Sequence, residues 1–471
     1  MRVYSTLFIF FIIFGSVIGA ISVPFAQEAS SVIQEKSAVH EATPELAKEQ
    51  QSEREERINL DKLIAEALKN NPELQAARYS WEAAKARIPQ ARAFEDPQFN
   101  MMFYSVPGGN GNSIEPNTSF YRISQMFPFP GKRGLREKIA EKSAEQAWEF
   151  YKAKELEIIN KVKLIFYDLF MAHKSIQINQ ENVELSRYFL KVAETRYAIG
   201  QASQQDVLKA QVELSRLLNE EVTLRGELET VQAQLNILLN RAPQAPLGMP
   251  EDFTIPPVIK NEAIEENSSS FLFDQTFSFP KRKSLVEEFQ QLALKNRPEL
   301  NMTESAIEQG KAMRALAKRN YFPDIMGMIE RMPEQKGSGS WDVMLTINIP
   351  LFFRDKYDSA VKEAEASIKA SEASYETVRN QVLFEVKDLL VKVQTAERLE
   401  NLYRTTLIPQ AEQSLKAAEV GYESGRVDFL SLIESQRALQ DFRLDYYRAF
   451  TNLAKTIAQL ERAVGGAWGQ K

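Results

Sequence analysis

The sequence predicts a mainly α-helical chain with a small β component of membrane type, built as one unit written twice. Three observations predict it. A series of short motifs returns in the same order about 226 residues later. Both halves hold very long amphipathic stretches, and the one from Gly131 to Ala242 contains no proline. Each half also holds two short stretches whose apolar residues recur with period two instead of 3.6. Composition agrees: 44% hydrophobic and 26% charged residues, with only 19 Gly and 20 Pro in 471 residues, suit long helices.

The chain starts with a targeting signal. Arg2 precedes an apolar run from Leu7 to Ile21, broken only by Gly15, Ser16 and Gly19. A charged start, a short apolar core and small residues describe a secretory signal peptide over residues 1–26, with Ala20 and Ala26 as alternative cleavage points. No later run reaches the ~18 apolar residues of a spanning helix. Residues 27–57 are polar and charge-dense and read as a flexible tail.

The repeat follows. Ala67-Leu68-Lys69-Asn70-Asn71-Pro72-Glu73-Leu74 returns as Ala293-Leu294-Lys295-Asn296-Arg297-Pro298-Glu299-Leu300. Pro97 returns as Pro323, and Met126-Phe127-Pro128-Phe129 as Asn348-Ile349-Pro350-Leu351. Val162, Phe166, Asp168, Leu169 and Phe170 match Val382, Val386, Asp388, Leu389 and Leu390. Tyr197, Gly200 and Gln211 match Tyr422, Gly425 and Gln436. The units are expected over 58–240 and 284–466, joined by a Pro-rich linker over 241–283 and followed by a tail over 467–471.

Each unit opens with a helix, expected over Leu60 to about Ala93 and Leu285 to about Asn320. Two strands follow, at 98–104 and 119–127, then at 324–332 and 341–349. The last is the clearest. Trp341, Val343, Leu345, Ile347 and Ile349 share one face, and Asp342, Met344, Thr346 and Asn348 the other. Such a strand fits a half-buried sheet, and equally a barrel strand of ~9–11 residues with lipid on one side and water on the other. Turn-rich loops separate the strands, at Ser105–Asn117 and Met332–Ser340.

Long helical hairpins complete each unit. Leu135–Ile199 has 65 residues, about 98 Å at ~1.5 Å per residue. The chain turns at 200–206 and returns over Gln204–Asn240. The second unit repeats this as Tyr357–Ser424, with a kink expected at Pro409, a turn at 425–431, and Phe429–Val464. Gly200 and Gly425 suit left-handed helix ends, and Ser203 and Asp428 suit helix N-caps. A tight helical hairpin explains most of these two motifs.

These residues carry a resemblance. The order of signal, helix, two strands, long helix, Tyr-x-x-Gly turn and long helix, twice over, resembles the TolC-type outer-membrane efflux proteins. The matching pieces are Asn71-Pro72-Glu73-Leu74, Gln125–Gly131, Tyr197–Gln211 and Tyr422–Gln436 within residues 58–466. The run Ile123–Lys132 looks most like members attached to heavy-metal efflux pumps.

The resemblance implies a homotrimer. Its four strands per chain make a 12-stranded outer-membrane barrel, and its helices make a periplasmic tunnel. The residues agree in part: four strands cannot close a barrel, and open edges are not tolerated in lipid. The resemblance also implies a periplasmic adaptor protein and an inner-membrane pump of RND or ABC type as partners, with outer-membrane lipid around the barrel. The chain would then be a passive conduit for drugs or heavy-metal cations. A type I protein secretion outlet uses the same architecture and stays the alternative. A periplasmic coiled-coil scaffold explains the helices but not the strands.

Other classes are excluded on composition. A net charge of -6 offers no basic surplus for nucleic acid. With no cysteine and only His40 and His173, thiolate chemistry, cysteine-linked lipid and zinc sites fall away. No P-loop or nucleophile elbow is present, so neither an enzyme nor a cofactor is expected. His173 aligns with Val393 and reads as a structural histidine.

The expected sites lie at the hairpin tips. Gly200, Gln201, Ser203, Asp206, Gly425, Arg426 and Asp428 are expected to dock the adaptor. Ser431 and Glu434 occupy positions where family members often carry two acids ringing the entrance; here one acid remains, beside the reading of Glu434 as a solvated helix-face acid. Lys132, Arg133, Arg354 and Lys356 are expected at the inner barrel rim, within reach of lipid headgroups. Met101, Met102, Met126, Met326, Met328 and Met344 lie in or beside the strands. Thioethers suit Cu(I), but apolar filling explains methionines too.

Overall fold

The computed structural model describes residues 57–107, 114–255, 279–332, 340–350 and 354–466. The expected signal peptide, the tail up to residue 56, part of the linker, the strand-loop tips and the C-terminal tail lie outside the described residues.

The opening helix of each unit is broken in two, contrary to the single helix expected. Helix α1 (Leu60–Asn70) ends at Asn71, and α2 (Pro72–Arg92) starts immediately after it. Pro72 cannot donate a backbone hydrogen bond and forces Asn71 out of the helical region, to φ -65°, ψ 124°. Asn71 then caps α2, accepting from Glu73 and Leu74 N–H at 2.9 and 3.2 Å. Its amide also donates to the Leu238 carbonyl at 3.0 Å, fastening the break to the end of the first long hairpin. In the second unit α5 (Phe279–Asn296) and α6 (Pro298–Arg319) break at Arg297. Arg297 is buried and pairs with Glu299 and Glu385 instead of capping.

Four antiparallel strands form one sheet in chain order: β1 (Gln98–Pro107), β2 (Ile114–Phe127), β3 (Ile325–Met332) and β4 (Ser340–Ile347). β1 and β2 run further than the sequence pattern indicates. The register shifts between Tyr104 and Ser105, opposite Pro116. A bulge tolerates proline and breaks the alternation that a strand signal needs. Among the described residues β1 and β4 are each paired on one side only.

Register sorts the two faces. Phe99, Met101, Tyr121, Ile123, Phe127, Ile325, Ile329, Trp341, Val343, Leu345 and Ile347 share one face and are exposed. The other face carries Asn100, Arg122, Ser124, Glu330, Asp342 and Thr346 beside methionines. Arg122 donates two hydrogen bonds to Glu330 at 2.9 and 3.1 Å across this polar face.

The long hairpins are as long as expected. α3 (Lys132–Ala198) has 67 residues and α4 (Gln204–Leu238) has 35. In the second unit α7 (Arg354–Leu402) passes through a π-turn at Tyr403–Leu407 into α8 (Ile408–Glu423), and α9 (Phe429–Val464) returns. Pro409 lies in the first turn of α8. The missing N–H of proline thus falls beside a local widening of the helix, the kind of site where helices kink. α9 ends at Gly465 with φ +90°, where a Cβ would meet the Asn296 backbone at 2.8 Å. Only glycine permits that approach.

Three buried apolar clusters lie along the helices. One, around Ile158, Val162, Phe166 and Leu235, joins α1, α3 and α4. Another, around Val386, Leu390 and Leu460, joins α5, α7 and α9. The third sits at the tips. Among the described residues no helix is long and apolar enough to cross a membrane.

Lys132 corrects an expectation. It does not reach outward toward headgroups; it is buried at the sheet–helix junction. Its Nζ donates to the Phe322 carbonyl at 3.1 Å and to Asp324 at 2.8 Å. Asp324 also accepts from Phe129 N–H at 2.7 Å. Arg133 lies 3.6 Å over the Phe94 ring and donates to the Arg92 carbonyl, so it too is held by protein. Arg354 and Lys356 are exposed.

Candidate functional site

The hairpin tips are built from local chain chemistry. Gly200 and Gly425 adopt φ +73° and +74°, left-handed values that cost glycine little. Gln201 N–H then reaches the Arg196 carbonyl at 2.8 Å, and Arg426 N–H the Gly421 carbonyl at 2.9 Å. These backward bonds satisfy carbonyls that a helix end otherwise leaves open. Ser203 and Asp206 form a reciprocal capping box, with bonds of 3.2 and 3.3 Å. Asp428 caps α9 by accepting from Ser431 N–H at 3.4 Å. The Ser431 hydroxyl also donates to Asp428. That bond, helped by the cap geometry, holds the Asp428 carboxyl below its ordinary range. Gln201, Gly425, Arg426 and Glu434 are exposed.

The structure brings the two tips together, which no single motif indicates. Arg196, in the last turn of α3, donates to the Tyr422 and Glu423 carbonyls of the second hairpin, the latter at 2.8 Å. Its guanidinium lies 4.9 Å from the Tyr422 ring centroid. It therefore interacts with the last carbonyls of α8, as a cation at a helix C-terminus does, sharing that of Tyr422 with Gly425 N–H at 3.0 Å. Tyr422 is buried beside Phe429, and its hydroxyl has no hydrogen-bond partner. Burial raises its pKa; the charge of Asp206 adds to this and Arg196 opposes it.

A second link lies further along the hairpins. Glu213 of α4 is buried, with 1% of its surface exposed. One carboxylate oxygen accepts from Arg216 at 2.8 Å, and the other accepts from Arg437 of α9 at 3.0 Å. Arg216 also donates to Gln440 at 3.3 Å. Arg443–Glu181, Lys455–Asp168 and Lys163–Glu461 continue the ties between α9 and α3. Sequence reasoning missed the ties between the units, because apart from Glu213–Arg216 each joins residues more than two hundred positions apart.

Glu213 makes the contact pH-dependent. Burial pushes its carboxyl up, but hydrogen bonds from Arg437 and Arg216 outweigh burial and leave it below the ordinary value of about 4.5. A depressed carboxylate contributes fully above the unfolded value and loses its contribution as pH falls through the lower folded value. Nitroxides placed on α4 and α9 should therefore separate on acidification, starting below about pH 4.5. Glu213→Gln should remove that acid limb and loosen the contact already at neutral pH. An unchanged acid profile in the variant would rule out Glu213 as the titrating group.

Among the described residues no group of three or more His, Cys, Asp or Glu could hold a metal ion. His173 Nε2 is buried without a hydrogen-bond partner. Burial lowers its pKa, so it is neutral.

The sheet and the duplicated hairpins can be compared with known proteins. The family model described as outer membrane efflux protein matches residues 63–241 and 290–466, once per unit. The chain belongs to that family. Its members are outer-membrane channels rather than enzymes, and they form trimers in tripartite efflux systems. The chain is similar to the probable outer membrane lipoprotein SilC of Salmonella typhimurium, at 22% identity over 87% of this chain and 86% of SilC. It is similar to the cation efflux system protein CusC of Escherichia coli O157:H7, again at 22% identity, 87% and 86%. Its fold matches the solved outer-membrane channel OprN with a TM-score of 0.69, at 19% identity, over 87% of this chain and 90% of that one. The outer membrane is accordingly its location, and the helices form its periplasmic part.

Proposed function

We propose that the chain is the exit duct of a tripartite efflux pump, a passive conduit from periplasm to exterior that carries heavy-metal cations. One observation carries the assembly: among the described residues the four-stranded sheet has one mainly apolar face, one polar face and two unpaired edges. Free edges are costly in lipid, so the sheet closes only with other copies of itself. Three copies give the 12-stranded barrel of the trimeric family members. The substrate reading leans on likeness to proteins named for cation efflux and for nickel, cobalt and cadmium resistance. An adaptor docks on the exposed tip residues Gln201, Ser203, Arg426 and Asp428, and energy comes from an inner-membrane pump.

The test is conductance. Purified protein in a planar bilayer should pass ions without nucleotide, mostly from a closed state. Nucleotide hydrolysis, or no conductance at all, would refute the duct. If the three copies of Glu434 face the threefold axis, their carboxylates form a ring that attracts cations and repels anions. Glu434→Gln should lower cation selectivity at low salt, where screening is weak. Equal selectivity would assign Glu434 to the solvated helix face.

Adaptor docking has its own test. Gly200→Val and Gly425→Val place a β-branched residue at positive φ, which costs roughly 1–3 kcal/mol of local strain at each tip. Trimers should still form, because the strain is confined to the turns. Site-specific cross-linking to the adaptor should fall several-fold. Undiminished cross-linking with both substitutions present would exclude the tips as the docking surface.

A further inference from the structure

The strand register separates the methionines in a way the sequence alone did not. Met101 lies on the apolar face with Phe99, Tyr121 and Ile123. Met102, Met126, Met326, Met328 and Met344 all lie on the opposite, polar face. Within Gln98–Met102, Tyr121–Phe127, Ile325–Arg331 and Ser340–Ile347, the other residues of that face are Gln98, Asn100, Arg122, Ser124, Glu330, Ser340, Asp342 and Thr346. Methionine is the commonest apolar residue of that face, which Phe120 shares as the cross-strand partner of Met102. The apolar face has Met101 as its one methionine in these stretches and otherwise holds mostly Phe, Tyr, Trp, Ile, Leu and Val, with Gln125, Gly327 and Arg331 among them. Five methionines on the wetter face, against one on the apolar face, exceed what filling an apolar surface calls for.

Four of them are contiguous. Met126 is the direct cross-strand partner of Met326, and Met328 of Met344. Met326 and Met328 are two apart on β3 and so point the same way. Directly opposed residues hold their Cβ atoms ~4.5–5.5 Å apart. Methionine is unbranched, with three rotatable bonds and a polarizable sulfur, so neighbouring thioethers can turn toward a common point. Met328 is 9% exposed and Met344 52%. The patch therefore has a sheltered floor and an open side.

Charge on the same face favours a cation. One rung away from Met328 and Met344 lie Arg122, Glu330 and Asp342 in cross-strand register. Arg122 is paired with Glu330 at 2.9 Å, which leaves the carboxylate of Asp342 in excess. Thioethers are soft, neutral donors that select soft monovalent ions over hard ones. Neutral donors also let a cation leave, as a conduit requires.

We propose that Met126, Met326, Met328 and Met344 form a thioether site for a soft monovalent cation, Cu(I) or Ag(I), on the polar face of the sheet. Its place beside the exit path rests on the duct reading above; the site itself rests on the register alone.

The chain has no cysteine, which makes the test clean. The full-length protein, purified in detergent, is titrated with Ag(I) calorimetrically, and the bound ion is examined by X-ray absorption. The expected result is saturable binding with sulfur neighbours, which can only be thioethers. The pair Met328→Leu with Met344→Leu, a swap of similar volume, should weaken binding at least tenfold. Met101→Leu, on the opposite face, should leave it unchanged. Silver bound without sulfur neighbours, or a Met101→Leu effect equal to that of the pair, overturns the site. Conductance in bilayers without Ag(I) binding defeats this inference and leaves the duct standing. Sulfur-ligated Ag(I) in a protein that does not conduct does the reverse.

Discussion

Lys132→Ala should cost about 3–5 kcal/mol at the junction between sheet and tunnel, the usual penalty for breaking a buried ion pair. The side chain of Lys132 is 4% exposed and that of Asp324 27%, so the pair is largely withdrawn from water. Removing it leaves the Asp324 carboxylate with only the Phe129 N–H, and frees the Phe322 carbonyl. Asp324 then has weaker reason to stay charged, since burial pushes its carboxyl up and the hydrogen bond from Lys132 does most to hold it down. The junction also contains the stacked Phe129 and Phe322 rings, with centroids 4.6 Å apart, so misplacement there tilts a strand against a helix about 100 Å long. The measurement is the amount of heat-resistant trimer in outer-membrane fractions, which should fall at least tenfold. The pair Lys132→Met with Asp324→Asn removes the stranded charge and keeps an acceptor for Phe129. It should recover more than half of the loss. A single variant as abundant as the parent would show that the pair is solvated in the assembled protein.

What the sequence discloses and what it hides follow from range. The hairpin turns are legible because glycine at the helix end and Ser203 or Asp428 at the next helix start act within five residues. α9 begins at Phe429 and ends at Val464 as read, because its cap and its terminal glycine are both local. The strand faces of β4 are legible for the same reason. The break at Asn71 escapes a sequence reading because a proline in the first helical turn is compatible with a continuing apolar pattern. The full extent of β1 and β2 is hidden because Pro116 sits beside a bulge in its own strand. Lys132, Glu213 and Arg196 are unreadable in their roles. Each is an ordinary helix-surface residue by spacing, and each acquires its meaning from a partner in the other unit. Duplication makes this general. Two similar units pack against each other, so their contacts join residues roughly one repeat apart. The motif for such a contact is divided between the halves. Arg196 is an example: its only sequence sign is a basic residue in the last turn of a helix, a feature that the helix dipole explains by itself.

Arg196→Ala should open the periplasmic end. The guanidinium bridges three carbonyls: Gln201 of its own turn at 3.5 Å, and Tyr422 and Glu423 of the other hairpin. Hydrogen bonds from a charged donor contribute roughly 1.5–3 kcal/mol net; the exposed setting of part of this contact favours the low end. If the open state separates the two tips, the bonds stabilise only the closed one. Removing about 1.5–3 kcal/mol of differential stabilisation shifts the closed-to-open ratio by roughly 10- to 100-fold. Tip packing by Tyr422, Phe429 and Leu432 remains, so the trimer should persist. Arg196→Lys keeps the charge but loses the planar fork that spans two carbonyls, and should fall between parent and alanine. The readout is open probability in single-channel records at one voltage and salt. The parent should dwell mostly closed, the alanine variant should open far more often, and unit conductance should stay constant. An alanine variant with parental open probability, in an intact trimer, would mean that the two hairpins move together and that the entrance is controlled elsewhere.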